Sequence, residues 1–306
     1  MILTVTPNSA LDVTYTVPSL RPDAVHRVGE MWHRAGGKGI NVGRVLHTLG
    51  EDVHLIATAG GPAGARFAED LLAAGLSAEL VPIASETRRT TTILSTVDSS
   101  VTLLNEPGPK LKPAEWAALV ETVREAVGRA SVLVCSGSLP PGAPPDGYAQ
   151  LLALADGIPT ILDASGDAFR AGLPGRPTAV KPNAEELREV TGLADPLVGA
   201  AELRRLGAAA VLVSLGADGL LASTSDSDWQ ARPSAVLTGN TTGAGDAAVA
   251  GIALELARGG SWPDVLRRAV ALSGAAVLGP LAGDIDLDHY HRERPAVELL
   301  PRSRSR

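Results

Sequence analysis

The chain is poor in cysteine and aromatic residues, and it has no long apolar stretch. Cys135 is the one cysteine among 306 residues, so no disulfide can form within the chain, which is typical of a reducing cytoplasm. Aromatic residues make up 3%, so the core must be built mainly from aliphatic side chains. No apolar run approaches the roughly 20 residues that cross a membrane, and the first residues lack the pattern of a secretory signal. We therefore expect a cytoplasmic protein without a membrane partner.

Lysine is also scarce, and the overall charge is acidic. The formal net charge is −7, and basic residues cluster only in the short tail 302–306, which argues against nucleic acid as a partner. An acidic protein that binds an anionic ligand needs basic side chains placed near that ligand. Of the four lysines, Lys38 and Lys181 lie within the motifs described below, so both are candidates for this role.

Short apolar segments alternate with helical patterns along the chain. β-branched and apolar residues predict strands at residues 2–6, 53–57, 132–135, 160–163, 179–181 and 210–214. Helical spacing of apolar residues predicts helices at 40–49, 65–74, 113–127, 183–191, 244–258 and 263–278. Because the strands are apolar on both faces, they are typical of a parallel sheet covered by helices on each side. The sequence therefore predicts an α/β fold with a doubly wound, mostly parallel sheet.

Two segments interrupt this alternation, at about 13–34 and 88–105. The first has no clear helical pattern, and the second fits two strands around a polar turn at residues 98–100. Together they predict a small antiparallel sheet inserted in a single domain that spans 1–306. Such a sheet is either a lid over a site or a hairpin without a functional role. From Glu293 onward the chain is polar and rich in arginine and serine, so we expect this tail to be poorly ordered.

The most informative motif is Thr242-Gly243-Ala244-Gly245-Asp246, which directly precedes an apolar helical pattern. Small residues let the backbone turn tightly, and the N–H groups and dipole of a helix N-terminus form an anion site. Asp246 lies where a carboxylate can accept a proton from a hydroxyl group. Phosphoryl transfer to an alcohol requires such a base beside an anion site. The alternative is an ordinary helix start, with glycine for geometry and aspartate for the dipole.

A second glycine-rich segment, Gly36-Gly37-Lys38-Gly39-Ile40-Asn41, leads into the first predicted helix. The glycines let a ligand approach the backbone, while Lys38 adds a positive charge and Asn41 adds a donor and an acceptor. The segment is not a P-loop, because the lysine is followed by glycine instead of serine or threonine. It is not a dinucleotide-binding motif either, because that motif would directly follow the first strand. Asp12 follows that strand instead, at a position that suits either ligand binding or a turn.

Three further polar segments follow predicted strands. They are Ser136-Gly137-Ser138-Leu139-Pro140, Lys181-Pro182-Asn183 with Glu186, and Ser214-Leu215-Gly216-Ala217-Asp218-Gly219. Asn183 is a natural N-cap with Glu186 at its capping-box position, and a water-mediated contact of Glu186 with Mg²⁺ is the functional alternative. The segment after Ser214 fits either a hairpin or part of a nucleotide site. The common position of all three segments, after strands of one sheet, favours their functional interpretations.

Together these motifs resemble the ribokinase/PfkB family of carbohydrate kinases, from Thr6 to about Leu278. Its specific motifs here are Gly36-Gly37-Lys38-Gly39-Ile40-Asn41-Val42 and Thr242-Gly243-Ala244-Gly245-Asp246. The chain resembles the branch that includes 1-phosphofructokinase and tagatose-6-phosphate kinase through Thr6-Pro7-Asn8, Ala10-Leu11-Asp12, Asn105-Glu106-Pro107-Gly108-Pro109, Ser136-Gly137-Ser138-Leu139-Pro140 and Lys181-Pro182-Asn183 with Glu186. The resemblance implies a ribokinase-like fold in which the small sheet is a lid, and it implies a homodimer formed through that lid.

The resemblance also implies roles for the matching residues. Asp246 would be the catalytic base, and the N–H groups of Gly243, Ala244 and Gly245 would hold the transferred phosphoryl group. Sugar hydroxyls would contact Asp12, Gly37 and Asn41. The phosphate that the substrate already carries would contact Lys38, Arg88 and Ser138, with Arg27 as a weaker candidate. The ATP site would contain Lys181, Asn183, Ser214, Gly216, Gly219 and Thr241, with Glu186 holding Mg²⁺ through water.

The implied activity is phosphorylation of a ketohexose phosphate with ATP and Mg²⁺, and fructose 1-phosphate is the first candidate substrate. Tagatose-6-phosphate kinase and a minor-type 6-phosphofructokinase are alternatives, because one sequence does not fix which carbon carries the phosphate. A non-catalytic sugar-phosphate sensor is an alternative from another class, although a sensor needs no base at Asp246. His26 stands where the family pattern has asparagine, and we interpret it as a surface residue.

Overall fold

The computed structural model describes residues 1–98 and 100–302. Its strands are β1 Ile2–Thr6, β2 Ala10–Val17, β3 Met31–Gly36, β4 Val53–Ala59, β5 Ala78–Pro82, β6 Arg88–Ser95, β7 Val101–Asn105, β8 Val132–Ser136, β9 Thr160–Asp163, β10 Ala179–Val180, β11 Ala210–Ser214, β12 Leu220–Ser223, β13 Asp228–Arg232 and β14 Glu298–Arg302. Its α-helices are α1 Lys38–Thr48, α2 Gly61–Ala73, α3 Pro113–Val127, α4 Gly147–Leu152, α5 Gly166–Gly172, α6 Ala184–Thr191, α7 Pro196–Arg205, α8 Ala244–Ala257, α9 Trp262–Val277 and α10 Leu287–Ala296. In these ranges no helix is long and apolar enough to cross a membrane.

Every strand and helix predicted from the sequence is present near its predicted position. The bounds of β1, β9, β11 and α3 are those predicted, and most others differ by one or two residues. The largest difference is at the start of α2, which begins at Gly61, four residues before the predicted position. Pro62 lies in the first turn of this helix, where the missing N–H of proline needs no partner. The helix therefore starts before its apolar pattern becomes clear.

A large sheet forms the centre of the described chain, with strand order β14-β13-β12-β11-β10-β9-β8-β1-β4-β5. All neighbouring pairs from β11 to β5 are parallel, whereas β12, β13 and β14 add an antiparallel edge. The strands from β11 to β5 are parallel because helices connect successive apolar strands and pack back on the sheet. The predicted doubly wound, mostly parallel α/β fold is confirmed.

Helices cover both faces of this sheet and divide the core into two layers. Val132 and Val134 pack with apolar residues of α1, α8 and α9. Leu133 and Cys135, which alternate with them on the same strand, pack with residues of α3 to α7. Cys135 is fully buried. This alternation places α1 and α8 on one face of the sheet. Their first turns lie side by side, because Asn41 of α1 donates a hydrogen bond to Asp246 of α8.

The two predicted insertion segments form a small sheet of four strands, with order β3-β2-β6-β7. The expectation of a wholly antiparallel sheet is wrong, because β2 and β6 are parallel neighbours. These two strands come from separate parts of the chain, so no hairpin has to connect them. Residues 24–30 contain no strand. The predicted turn at 98–100 includes Ser99, which lies outside the described residues.

The expectation of a poorly ordered C-terminal tail is wrong for residues 293–302. Glu293 lies in α10 and is 5% exposed, and the chain continues as β14, which pairs with β13 at the edge of the large sheet. Composition alone misled here, because the polar residues of this segment have specific partners. Glu293, for example, accepts hydrogen bonds from the backbone and the hydroxyl of Ser234. Residues 303–306 lie outside the described part of the chain.

Candidate active site

The candidate site lies at the carboxyl ends of the parallel strands, where neighbouring strands place polar residues side by side. Thr6 ends β1, Ser136 ends β8, Asp163 ends β9, and Lys181 follows β10. All four side chains are buried. Helix α1 begins directly above this row, and a Cβ on Gly39 would overlap the Thr6 hydroxyl. Glycine is therefore needed at that position for the helix N-terminus to approach the strand ends.

Asp246 is buried in the first turn of α8. This helix begins after Gly243, whose φ of 84° lies in the left-handed region that favours glycine. Asn41 Nδ2 donates a hydrogen bond to Asp246 Oδ2 at 2.8 Å. Burial and the negative charge of Asp163 raise the pKa of Asp246 to about 6, although Lys38 and Asn41 oppose the shift. Such a carboxylate is largely ionised at neutral pH, and it is a stronger base than an exposed aspartate.

Asp163 holds two lysine side chains beside Asp246. Lys38 Nζ lies 3.4 Å from Asp163 Oδ2, and Lys181 Nζ lies 3.4 Å from Asp163 Oδ1. The negative charge of Asp163 raises the pKa of Lys38 above its usual value, so this side chain remains an ammonium ion. A Cβ on Gly245 would lie 3.3 Å from Lys181 Nζ. The backbone at the start of α8 and the two ammonium groups therefore share one anion-attracting end of the cleft.

Asp163 was not predicted to be a site residue, because in the sequence it is only the last residue of an apolar strand. The usable signal was a charged residue at the carboxyl end of a buried strand, where ligands bind in such sheets. A buried carboxylate is unfavourable unless a cation is near it. Its partner Lys38 is 125 positions away in the sequence, so the pair is visible only in the fold.

Asp12 lies at the inner end of the small sheet. The strand register pairs it with Arg34 on β3 and with Thr90 on β6, and Arg88 lies on the same face two residues before Thr90. Burial raises the pKa of Asp12 to about 6, although the charge of Arg88 opposes this rise. The charge of Asp246 contributes to the rise, so the two carboxylates lie close enough to repel each other. Asp12 is thus the link between Asp246 and the small sheet.

Arg88 and Ser138 are brought together by Asn8. Asn8 Nδ2 donates to Ser138 Oγ at 2.9 Å, and Arg88 Nε donates to the Asn8 carbonyl at 3.2 Å. Arg88 Nη1 also donates to the Glu106 carbonyl at 3.2 Å. This cluster provides a second basic group, which is separate from the lysine pair on Asp163.

Arg27 and His26 lie apart from these clusters. Arg27 belongs to the irregular segment 24–30 and is exposed. His26 Nε2 lies 2.9 Å from the carbonyl oxygen of Arg21 and 3.1 Å from its backbone nitrogen, and the ring tautomer decides whether it donates to the first or accepts from the second. This local contact indicates that His26 stabilises the conformation of its own loop. Such a role agrees with its interpretation as a surface residue.

A cavity of about 420 Å³ opens beside the N-terminus of α8. Its lining includes five of the six predicted nucleotide-site residues, namely Asn183, Ser214, Gly216, Gly219 and Thr241, together with Ala244 and Gly245. The sixth, Lys181, lies beneath Gly245 instead. Most of the remaining lining is apolar, as is usual for a site that takes a flat organic ring. The cavity therefore connects a mainly apolar chamber to the anion-attracting end of the cleft.

Part of the cavity wall was not predicted from the sequence. Ala235, Val236 and Leu237 contribute from the loop before α8, and α9 contributes residues including Ser273 and Val277. The loop has no motif that marks it. It is held from below by Glu293, whose Oε1 accepts from Ser234 N at 2.6 Å and whose Oε2 accepts from Ser234 Oγ at 2.5 Å.

Asn183 and Glu186 form a complete capping box at the start of α6. Asn183 Oδ1 accepts from Glu186 N at 2.8 Å, and Glu186 Oε2 accepts from Asn183 N at 2.9 Å. This structural role accounts for one carboxylate oxygen of Glu186 and leaves the other able to bind water. The described residues contain no cluster of three or more histidine, cysteine, aspartate or glutamate side chains that could hold a metal. Mg²⁺ bound with a nucleotide needs few protein ligands, because phosphate and water oxygens supply the others.

Two carboxylates of the cleft fit such a nucleotide-bound Mg²⁺. Asp163 Oδ2 is buried and accepts no hydrogen bond from the described residues, although it lies near Lys38. Glu186 is hydrogen-bonded to Asn183, which lines the cavity. Both are hard oxygen donors, the type that Mg²⁺ prefers.

Comparison with known proteins identifies the family. Residues 6–288 match the model of the pfkB family of carbohydrate kinases. The chain is 32% identical to phosphofructokinase-2 from Escherichia coli, over 96% of this chain and 98% of that chain. The TM-score is 0.91 for the E. coli protein in complex with potassium, 0.89 for its complex with fructose-6-phosphate and 0.89 for its tetrameric inhibited form. A possible 1-phosphofructokinase from Thermotoga maritima gives a TM-score of 0.88 at 23% identity, over 99% of both chains.

The chain therefore belongs to the pfkB family of carbohydrate kinases. It is an ATP-dependent sugar kinase with the ribokinase-like fold, and the family uses ATP with Mg²⁺. The resemblance noted in the sequence is confirmed for the family, the fold and the class of reaction.

Proposed function

We propose that the protein transfers the γ-phosphoryl group of ATP to a ketohexose phosphate, and that fructose 1-phosphate is converted to fructose 1,6-bisphosphate. The observation that carries this proposal is the presence of two separate basic groups in one cleft. Arg88 lies with Ser138 on the side of the small sheet, whereas Lys38 and Lys181 lie on Asp163 beside Asp246. A free sugar needs cations only where the phosphoryl group is transferred. A second basic group suits a sugar that already carries a phosphate.

In this proposal Asp246 accepts the proton of the acceptor hydroxyl. Its raised pKa increases its basicity, and the hydrogen bond from Asn41 fixes its orientation. Asp12, which is close enough for the charge of Asp246 to raise its pKa, would accept hydrogen bonds from sugar hydroxyls, and Gly37 would contact them from the segment before α1. The N–H groups at the start of α8 point toward the transferred phosphoryl group and stabilise its negative charge.

The position of Lys38 supports a role at the transfer end of the cleft, which differs from the role implied by the family resemblance. Its ammonium group pairs with Asp163, and its charge also lowers the pKa of Asp246. We therefore assign Lys38 and Lys181 to the phosphoryl group in transfer, and Arg88 and Ser138 to the phosphate already on the sugar. Mg²⁺, held by the nucleotide phosphates with Glu186 through water, would neutralise part of the remaining negative charge.

Fructose 6-phosphate is a second candidate substrate. The E. coli phosphofructokinase-2, which is 32% identical to this chain, was solved in complex with that sugar phosphate. Tagatose 6-phosphate remains an alternative as well. All three sugars carry one phosphate and differ in its position or in a hydroxyl stereocentre, so the two basic groups suit each of them.

The decisive experiment is ADP release with Mg-ATP and matched concentrations of fructose 1-phosphate, fructose 6-phosphate, tagatose 6-phosphate, free fructose, free ribose and adenosine. We expect the highest kcat/KM for fructose 1-phosphate. A higher value for another phosphosugar would replace only the substrate. Turnover confined to free sugars would contradict the assignment of Arg88 and Ser138, and an absence of turnover with intact ligand binding would favour the sensor.

We also propose that two chains associate through the small sheet. Trp32, Leu103 and Val101 are 42%, 44% and 46% exposed, and the strand register puts them on the face that carries Asp12 and Arg88. Three large apolar side chains on one open face are typical of an interface. Sedimentation velocity should give a homodimer, and replacing Trp32 and Leu103 with glutamate should give a monomer. A wild-type monomer at micromolar concentration would refute this assembly.

Two smaller assignments complete the proposal. The small sheet acts as a lid within a single domain spanning 1–306, in a protein of the cytoplasm. Arg27 extends from the irregular segment beside this lid and adds a weaker contact to the phosphate of the sugar. Its replacement by glutamine should raise KM for the phosphosugar less than the same replacement of Arg88, and an equal or larger effect would contradict this ranking.

A further inference from the structure

We propose that Asn8 is a positioning residue, which orients the hydroxyl of Ser138 toward the phosphate that the sugar already carries. This inference rests on the proposed function, because it assumes that Ser138 and Arg88 bind that phosphate. Asn8 lies in the short turn between β1 and β2 and is 4% exposed. No role was assigned to it from the sequence.

The hydrogen bonds of Asn8 fix which way its amide group faces. Asn8 Nδ2 lies 3.1 Å from the carbonyl oxygen of Pro107 and 2.9 Å from Ser138 Oγ. A carbonyl oxygen can only accept, so the NH₂ end of the amide must face Pro107. The second hydrogen of this NH₂ group then points to Ser138, whose oxygen must accept it.

This arrangement leaves the hydroxyl hydrogen of Ser138 available for an anion. A hydroxyl has one hydrogen to donate, and in Ser138 that hydrogen is not used toward Asn8. Arg88 reaches the same place from the other side, since its Nε donates to the Asn8 carbonyl. Within residues 1–98 and 100–302, neither hydrogen of Arg88 Nη2 is used in a hydrogen bond. Asn8 therefore holds Ser138 and Arg88 together, and each of these two residues keeps an O–H or N–H group that can donate to an anion.

The amide oxygen of Asn8 indicates that this residue acts through its NH₂ group. Asn8 Oδ1 is buried and has no hydrogen-bond partner among the described residues. A buried acceptor without a partner is unfavourable for stability, and such departures are expected at functional sites. The loop comes this close because Gly108, with a φ of 101°, has no side chain that would overlap the amide oxygen.

The test compares Asn8→Ala and Asn8→Asp with the wild type, using fructose 1-phosphate, free fructose and ATP. We expect Asn8→Ala to raise KM for the phosphosugar roughly tenfold, with kcat, KM for ATP and the rate on free fructose unchanged. Asn8→Asp should be worse, because the new carboxylate would take the Ser138 hydrogen and repel the phosphate. An equal loss on free fructose, or a change confined to KM for ATP, would overturn the inference.

Two controls separate positioning from general damage. Thr58→Val removes the 2.8 Å hydrogen bond to the Pro7 carbonyl, next to Asn8, and leaves Ser138 and Arg88 untouched. It should keep the wild-type KM for the phosphosugar. Combining Asn8→Ala with Ser138→Ala should be no worse than Ser138→Ala alone, since both remove the same donor. Additive losses, or the same loss in Thr58→Val, would refute the positioning role.

The outcomes also distinguish this inference from the proposed function. If the wild type phosphorylates only free sugars, the proposed function fails and the inference fails with it. If the wild type prefers a phosphosugar and Asn8→Ala keeps that preference, only the inference fails. Thermal unfolding with fructose 1-phosphate in the absence of ATP gives a second readout. The ligand should raise Tm of the wild type, and Asn8→Ala should lose most of that shift at the same concentration.

Discussion

Replacing Asp246 with asparagine should make the protein more stable and almost inactive. The pKa of Asp246 is about 6 in the folded chain, compared with 3.8 for an unperturbed aspartate, because burial disfavours its charged form. A raised carboxyl pKa means that the group contributes most to stability below pH 3.8. This contribution is lost as the pH rises through about 6. Near neutral pH the ionised wild-type side chain is therefore a source of instability that asparagine lacks.

The magnitude follows from the difference between the two pKa values. That difference corresponds to about 3 kcal/mol at pH 8, where the carboxyl is ionised in both the folded and the unfolded chain. At pH 5 the folded carboxyl is largely protonated, so the advantage of the variant should be smaller by about 1.4 kcal/mol. The hydrogen bond from Asn41 can be retained, since asparagine also offers an oxygen acceptor. The catalytic rate should fall by about 10² or more, because a positioned base is removed.

Urea denaturation at pH 5, 6, 7 and 8, together with ADP release at pH 8, measures both effects. Asp156→Asn is the matched control, because Asp156 is exposed and its replacement should change neither quantity. A stability difference between the Asp246 variant and the wild type that stays constant from pH 5 to 8 would refute the assigned pKa. Retention of the wild-type rate would remove Asp246 from the role of base.

Three further predictions concern the rest of the cleft. Asp12 and Asp246 have pKa values raised to about 6, so kcat/KM should fall steeply as the pH decreases below 6, and a flat pH–rate profile from 5 to 7 would contradict this. Glu293→Gln should raise KM for ATP by roughly threefold to tenfold without changing KM for the sugar, because Glu293 anchors Ser234 below the cavity loop; equal changes in both constants would contradict it. Arg34 and Asp284 form a two-point ion pair, with bonds of 2.9 and 2.5 Å, between β3 and the loop that contacts Gly243. Arg34→Gln and Asp284→Asn should therefore lower kcat/KM to a similar extent, and their combination should not be additive.

The large sheet could be predicted from the sequence because its signals are local. A strand such as β9 is a short apolar segment, and a helix such as α3 has apolar residues at helical spacing and a proline at its start. The C-terminal segment could not be predicted in this way. Helix α10 is polar in composition and is held by buried contacts such as that between Tyr290 and Arg268, which are 22 positions apart. Composition indicates disorder only where polar residues lack such partners.

The site shows the same division between local and distant information. Backbone anion sites depend on local conformation, so the glycines before α1 and α8 could be identified in the sequence. The interactions that tune and orient the side chains cross the whole chain. Asn41 and Asp246 are 205 positions apart, and Asn8 and Ser138 are 130 apart. Asp163 also depends on a distant partner. Its only sign of a functional role in the sequence is that it is a charged residue at the end of a strand.

The distribution of charge explains why these distant pairs are needed. Asp12, Asp163 and Asp246 lie close together in the cleft, and burial raises the pKa values of Asp12 and Asp246, with a smaller contribution from the negative charge of a neighbouring carboxylate. Burial of three carboxylates is tolerable only because Arg88 lies beside Asp12 and because lysines lie on Asp163. The cations are thus paired with protein carboxylates before any substrate arrives. An incoming phosphate has to compete for them. Asp246 keeps a raised pKa in spite of the nearby lysines, because burial and the negative charge of Asp163 outweigh their effect.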